Sequence, residues 1–325
     1  MAELTYRAAV AAAMAQEMSR DTTVVFLGED IAAAEGVFKT STGLLEAFGP
    51  ERVRDCPISE QAILGAAMGA AMTGLRPVAE IMFSDFAATC WDQIANQIAK
   101  TRYMTNGQIS LPLVIKTANG GGLRFGAQHS QSIENWAMAI PGLKVVAPSS
   151  PADMKGLLAA AIRDPDPVLV CEHKALMPAK GQVPGGEHVE RLGQARVLRE
   201  GTDVTLVALA AMVPKALAAA DQLDTDGISC SVVDVRSLVP LDTQTIMAAV
   251  RATGRLITVE ENPRLCGWGA EIASLVAEEM FEDLDGPIIR VTTPHVPLPA
   301  ADILEDATIP SVQRITDAVR AASAY

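Results

Sequence analysis

Val53-Arg-Asp-Cys-Pro57-Ile58-Ser59-Glu60-Gln-Ala-Ile-Leu-Gly65-Ala66-Ala-Met-Gly69-Ala70-Ala-Met-Thr-Gly74-Leu-Arg-Pro77-Val-Ala-Glu-Ile-Met82-Phe-Ser-Asp-Phe86 is the stretch whose reading decides the fold. Arg52 to Cys56 and Pro77 to Phe83 read as strands, with a helix between them. Pro57 and Ser59 predict its start, Ser59 as N-cap, and Gly74 its stop about four turns later. Ala62, Gly65, Ala66, Gly69, Ala70 and Thr73 recur at helical spacing, so one face carries almost no side-chain volume. Ile63, Leu64, Met68 and Met72 make the opposite face bulky, and the helix is expected to be buried on both sides, with Glu60 in its first turn. Two readings are open for that acid: it complements the helix dipole, or it is buried and needs a partner.

Outward from this stretch the chain alternates helices and strands. Tyr6 to Met18 reads as a helix, Thr23 to Leu27 as a strand and Gly28 to Thr42 as a loop of small residues. A long helix is expected over Phe86 to Met104, then strands at Leu113 to Thr117, Lys144 to Ala147 and Val168 to Glu172, with a helix from Pro151 to Arg163. Asn119-Gly-Gly-Gly122 follows one of these strands. It is either a mobile turn or a loop whose backbone N–H groups face a ligand. Pro, Gly and charge dominate 177–193, which marks a linker. A second series follows: strands at Val204 to Leu209, Ser229 to Val233, Leu256 to Val259 and Ile288 to Val291, with helices at Val213 to Leu223, Thr243 to Ala252 and Gly269 to Met280. The fold class is therefore α/β, with two domains of mainly parallel sheet, residues 1–180 and 190–325.

Composition removes several functions. The 325 residues are 49% hydrophobic, 4% aromatic and carry a formal net charge of -13. No basic stripe is available for nucleic acid, and a basic protein partner is the better electrostatic complement. No apolar run approaches the ~18 residues of a membrane span, and Met1 leads into an alanine-rich helix without signal-peptide features. The five cysteines are scattered without a C-x-x-C pair. A reducing cytoplasm is the expected setting. Four scattered histidines make no zinc site.

The pattern Glu60, four residues, Gly65-Ala66, two residues, Gly69-Ala70 resembles that of thiamine diphosphate enzymes of the transketolase and 2-oxo acid dehydrogenase type. Pro57-Ile-Ser-Glu60, Gly74-Leu-Arg-Pro77, Asp92-Gln93, Ala127-Gln-His129-Ser-Gln-Ser132, Pro141-Gly-Leu-Lys-Val-Val146 and Asp234-Val-Arg-Ser-Leu238 extend the likeness over nearly the whole chain. It resembles the beta subunit of the E1 component of a 2-oxo acid or acetoin dehydrogenase complex.

That resemblance implies a pyrimidine-binding fold followed by a transketolase C-terminal-like domain. It also implies that Glu60 activates the coenzyme aminopyrimidine, that Ile58, Met82 and Phe86 line the same pocket, and that His129 faces the active site and assists acyl transfer. A potassium ion would be held structurally by Leu113, Ala161, Ile162, Asp164 and Asp166; Asp166 replaces the asparagine common there. Gly-Asp-Gly, which holds the diphosphate and Mg2+ in this superfamily, is absent from the chain. Half a site is thus expected here. The other half, with Mg2+, would come from an alpha subunit in an α2β2 assembly, and an E2 acyltransferase core would dock through its E1-binding module and lipoyl domain. Met82 to Cys90 leans towards the acetoin-type chains. The competing readings are a split transketolase-like C-terminal subunit and a non-catalytic acidic scaffold or flavoprotein subunit.

Overall fold

The central strands of the first unit are covered on both faces: every residue of Val114–Asn119 and Val168–His173 is buried, apolar where each strand begins and polar towards its carboxyl end. A computed structural model describes residues 1–325. The chain divides into two units, Met1–Asn119 with Trp136–Leu192, and Gly120–Asn135 with Gly193–Tyr325.

The first unit contains β1 (Ala2–Thr5), α1 (Tyr6–Arg20), β2 (Val24–Gly28), α2 (Leu44–Phe48), β3 (Val53–Asp55), α3 (Glu60–Met72), β4 (Arg76–Phe83), α4 (Thr101–Met104) and β5 (Val114–Asn119). The chain returns to it through α5 (Glu134–Met138) and continues with β6 (Lys144–Val146), α6 (Pro151–Arg163), β7 (Val168–His173) and β8 (Lys180–Val183). Its parallel strands run in the order β6-β7-β5-β4-β2-β3. Helices α1 and α6 pack on each other, and buried Glu17 of α1 accepts two bonds from Arg163 of α6, at 2.9 and 2.8 Å. The segment read as a linker is partly structured, because β8 pairs antiparallel with β1.

The helix expected over Phe86 to Met104 is broken into three. A 3-10 turn covers Ser84–Cys90, a π-helical stretch Gln93–Ile98, and α4 the last turn. Ala87 and Cys90 are buried in the 3-10 turn, and Ile94, Ala95, Ile98 and Ala99 in and just after the π-helical stretch. A tight turn and then a wide one keep these residues on the core side.

A charged cluster lies inside this sheet. Lys116 of β5 donates to Glu80 of β4 and, at 3.3 Å, to Glu172 of β7. All three are buried. Burial, with the charge of Glu80 adding to it and Lys116 opposing, pushes the Glu172 carboxyl up to about 7. A carboxyl that holds its proton more tightly folded than unfolded favours the fold below its unfolded value and loses that contribution as pH rises through the folded one. Glu172→Gln is therefore expected to gain in melting temperature relative to the parent between about pH 5 and pH 8. A difference that stays flat over that range would contradict the assignment.

The second unit comprises β9 (Arg196–Arg199), β10 (Val204–Ala208), α7 (Met212–Leu223), β11 (Cys230–Asp234), β12 (Ser237–Val239), α8 (Thr243–Thr253), β13 (Leu256–Pro263), α9 (Gly269–Glu279), β14 (Ile289–Thr293), α10 (Asp302–Thr308) and α11 (Val312–Ala322). Its sheet runs β14-β13-β10-β11-β9, parallel except for β9 against β11. No helix is long and apolar enough to cross a membrane.

Candidate active site

Glu60 is the first residue of α3, and it stands where β2 and β4 end, at the carboxyl edge on which parallel sheets hold ligands. Ser59 occupies the N-cap position, but its side chain makes no cap bond. The first-turn amide groups are thus left to Glu60 or to a ligand. The helix is covered on one face only: Ile63, Leu64, Ala67 and Ala71 are buried, while Ala62, Ala66, Gly69 and Met72 are exposed. Burial on both sides, expected from the sequence, is not found within this chain. A Cβ at Gly69 on the small face would meet nothing within 4 Å, while one at Gly65 would meet Gln93 Nε2 at 3.9 Å.

Glu60 itself is half-buried. Thr89 Oγ1 lies 3.2 Å from Glu60 Oε2 and 2.8 Å from the Phe86 carbonyl oxygen. The hydroxyl is the donor to both, so its one proton is shared between the Glu60 carboxylate and the Phe86 carbonyl. The Cys90 thiol is pushed up to about 12 by burial and, secondarily, by the Glu60 charge, so it stays neutral beside the acid.

Glu29, in the Gly28-Glu29-Asp30 step after β2, escaped the sequence reading. It is buried, and its Oε1 has no hydrogen-bond partner. Burial first, then the charges of Glu60, Asp30 and Glu80, raises its pKa. Two neighbouring carboxylates, one pushed towards its protonated form, make this edge one where a carboxyl holds its proton more tightly than it does in water. The signal available was an acid directly after a buried apolar strand.

Phe86 sits in the 3-10 turn, partly exposed, with its ring edge-on to Phe83 at 5.6 Å between centroids; Phe83 in turn meets Phe38 at 5.8 Å. Met82 is the residue at which the β4–β5 register shifts, between Ile81 and Phe83. Such a bulge re-aims one side chain out of the pleat. Ile58 is 84% exposed in the isolated chain. Glu60, Thr89 and Phe86 are thus brought into one small cluster, with Met82 at the bulge nearby in β4 and Ile58 two residues ahead of the acid.

His129 belongs to the other unit. The Asn119-Gly-Gly-Gly122 run does not offer its amides to a ligand, as one reading of the sequence had it. Gly121 N donates to Glu261 Oε1 at 2.6 Å, and Gly122 N to Glu305 Oε1 at 3.0 Å. Glu305 also accepts from Arg124 N (3.1 Å) and Arg124 Nη1 (2.5 Å), and Ser132 Oγ donates to Glu261 Oε1 (3.1 Å). The loop packs closely at Gly121, where a Cβ would stand 2.7 Å from Leu298 Cδ1 and 2.9 Å from Ile309 Cδ1 and would make those side-chain ends move. The half-exposed His129 therefore rides on a loop held at both ends by buried carboxylates.

The oxygens matched to a potassium ion are already engaged. The Leu113 carbonyl accepts from Val168 N (3.0 Å) and that of Ala161 from Asp164 N (3.3 Å). Arg76 Nη1 donates to the Ile162 and Asp164 carbonyls (2.8 and 3.3 Å). Lys144 Nζ lies 2.7 Å from both carboxylate oxygens of Asp164, and Arg102 pairs with Asp166. This set fits side-chain cations rather than a metal, and no metal role is carried further for it. No group of three or more His, Cys, Asp or Glu side chains is gathered for a metal elsewhere. The acid, the ring edge and the apolar side chains at the head of α3 do fit a planar, weakly basic heterocycle.

Residues 2–180 match the transketolase pyrimidine binding domain and residues 193–315 the transketolase C-terminal domain, and the chain belongs to this transketolase-like family. Within it, the chain belongs with the beta subunits of E1 components of 2-oxo acid and acetoin dehydrogenases. It is 47% identical over 320 residues to the acetoin:2,6-dichlorophenolindophenol oxidoreductase subunit beta of Bacillus subtilis, with 94% of this chain and 93% of the relative covered. It is 45% identical over 323 residues, 99% of each chain, to the pyruvate dehydrogenase E1 component subunit beta of Rickettsia felis. Among solved structures it is similar to a split gene transketolase described as an inactive beta4 tetramer, with a TM-score of 0.81 and 28% identity over 99% of this chain and 98% of that one.

Proposed function

We propose that this chain is the pyrimidine-binding half of a thiamine diphosphate-dependent E1 that cleaves a 2-oxo acid or acetoin and passes the acyl group to lipoamide on an E2 core. The observation that carries this reading is the placement of Glu60 at the head of a helix with an exposed face of small residues, joined through Thr89 Oγ1 to the turn that holds Phe86. Bound thiamine diphosphate supplies a carbanion at its thiazolium ring.

What this chain supplies is proton control and shape. Glu60 would donate a hydrogen bond to the pyrimidine ring nitrogen while its other oxygen accepts from Thr89, and the Glu29 carboxyl, pushed up by burial, acts on the same edge. Phe86, Met82 and Ile58 provide the apolar walls. His129, on its clamped loop, is assigned a charge-stabilising part in acyl transfer.

An alpha subunit supplies the diphosphate and Mg2+ half, which fits the exposed small face of α3 and the exposed Ile58 as surfaces for a partner. The split transketolase relative, inactive as a beta-only tetramer, is in keeping with a half-site. Relatives acting on acetoin and on pyruvate differ by only two points of identity, 47% against 45%. Met82 to Cys90 supports the acetoin-type substrate.

Isothermal titration of thiamine diphosphate with Mg2+ tests the half-site. No binding is expected to this chain alone, and 1:1 binding per chain once it is combined with an alpha-type partner. Equal affinity for the lone chain would refute the division.

A further inference from the structure

At the carboxyl ends of β13 and β14 in the second unit lies a cleft of about 690 Å3, whose walls include Arg264, Arg290, Arg314, His295, Thr292 and Leu265. We infer that this cleft binds a small phosphate-bearing molecule through Arg264 and Arg314. The inference stands apart from the proposed function above, since it uses none of the residues around Glu60.

The charge arrangement is the first support. In a chain with net charge -13, three guanidinium groups from three elements converge here, and no Asp or Glu lines the cleft. Arg290 is neutralised by Glu260, which accepts from its Nε and Nη2 at 2.9 and 2.6 Å and takes the Gly269 amide as well. Arg264 forms no ion pair, although the Glu260 charge reaches it, and on Arg314 burial alone acts. Arg264 Nη1 donates to the Arg290 carbonyl at 3.2 Å, and Arg314 donates to the carbonyls of Thr308 (3.2 Å) and Thr292 (2.5 Å). Carbonyl acceptors fix the direction of a guanidinium without cancelling its charge. Burial acts on Arg314 with nothing opposing it, and lowers its pKa. A half-buried cation with no counter-charge is costly, and an anion removes that cost.

Shape and position agree. The volume lies within the ~300 to 1,000 Å3 range of small-molecule sites. The carboxyl edge of a parallel sheet is where ligands of such folds lie. Planar forks held on carbonyls are suited to two-point contact with tetrahedral phosphate oxygens more than to a single point charge.

The test is calorimetric titration of inorganic pyrophosphate into the full chain at low ionic strength, with citrate as the carboxylate control. One pyrophosphate per chain is expected, with affinity that falls on adding salt. Arg264→Glu, at an exposed position, is expected to weaken it by tenfold or more with an unchanged melting temperature, and His295→Ala by less. Glu60→Gln should bind pyrophosphate as the parent does, which separates this cleft from the coenzyme half-site. Absence of binding, equal binding by Arg264→Glu, or citrate binding as tightly as pyrophosphate would each overturn the inference.

Discussion

Glu60→Gln, assayed with an alpha-type partner, is expected to lose about 10^2- to 10^4-fold in turnover, the span typical of a removed acid–base group. The loss should fall on kcat, with the melting temperature kept within a degree or two. Glu60 has one side-chain partner, Thr89 at 3.2 Å, and that hydroxyl retains its bond to the Phe86 carbonyl, so the amide is accommodated locally. The amide can still donate a hydrogen bond but cannot exchange the proton that the proposed role requires. Turnover within a factor of a few of the parent would remove Glu60 from the mechanism. Because Glu60 is among the charges that hold the Glu29 carboxyl up, its neutral replacement should also let Glu29 ionise more readily. The pH profile of whatever activity remains should then shift towards acid.

The second large effect is expected at Glu305, which is far from Glu60 in sequence and belongs to the other unit. Its carboxylate is fully buried and takes two backbone amides and a guanidinium of the loop that carries His129. Glu305→Leu strips the loop of all three bonds to its two carboxylate oxygens, and a charge-assisted bond of this kind is worth roughly 1.5 to 3 kcal/mol. Both a drop in melting temperature and a large fall in kcat are expected. Asp306→Asn is the control: Asp306 also meets Arg124, at 2.7 Å, but it is exposed and touches no loop amide. It should leave both quantities nearly unchanged. If His129→Ala and Glu305→Leu lower kcat by similar factors and the double variant is no worse than either alone, the clamp acts through the histidine.

How far the sequence could be read depends on the range of the interactions involved. The helix at Glu60 was legible because small-residue spacing, an N-cap serine and a stop glycine all lie within 16 residues of one another. Strands of the parallel sheets were legible as apolar runs for the same local reason. The bulge at Met82 was not, since a register shift exists only between two strands, β4 and β5. The long helix expected after Phe86 failed because periodicity alone does not report where a helix tightens into a 3-10 turn or widens into a π-helical stretch. Burial of α3 on both sides was inferred from composition, and the small face proved to be largely exposed in this chain. The carboxylates Glu261 and Glu305 gave no signal, because the loop they hold lies 140 and 183 residues earlier. The potassium expectation came from matched positions and could not foresee that Arg76 and Lys144 stand on those oxygens.

The excursion of Gly120–Asn135 into the second unit has a consequence for biogenesis. A ribosome releases this loop long before β13 and α10, the elements that receive it, have been made. The first unit can gather its sheet early, yet the histidine-bearing segment stays without its clamp until Glu261 and Glu305 have emerged, and closing so long a stretch is slow although its entropic cost grows only logarithmically. Ordering of that loop thereby becomes a late checkpoint, reporting that the C-terminal sheet is complete. It also means that no single cut separates the chain into two self-sufficient halves.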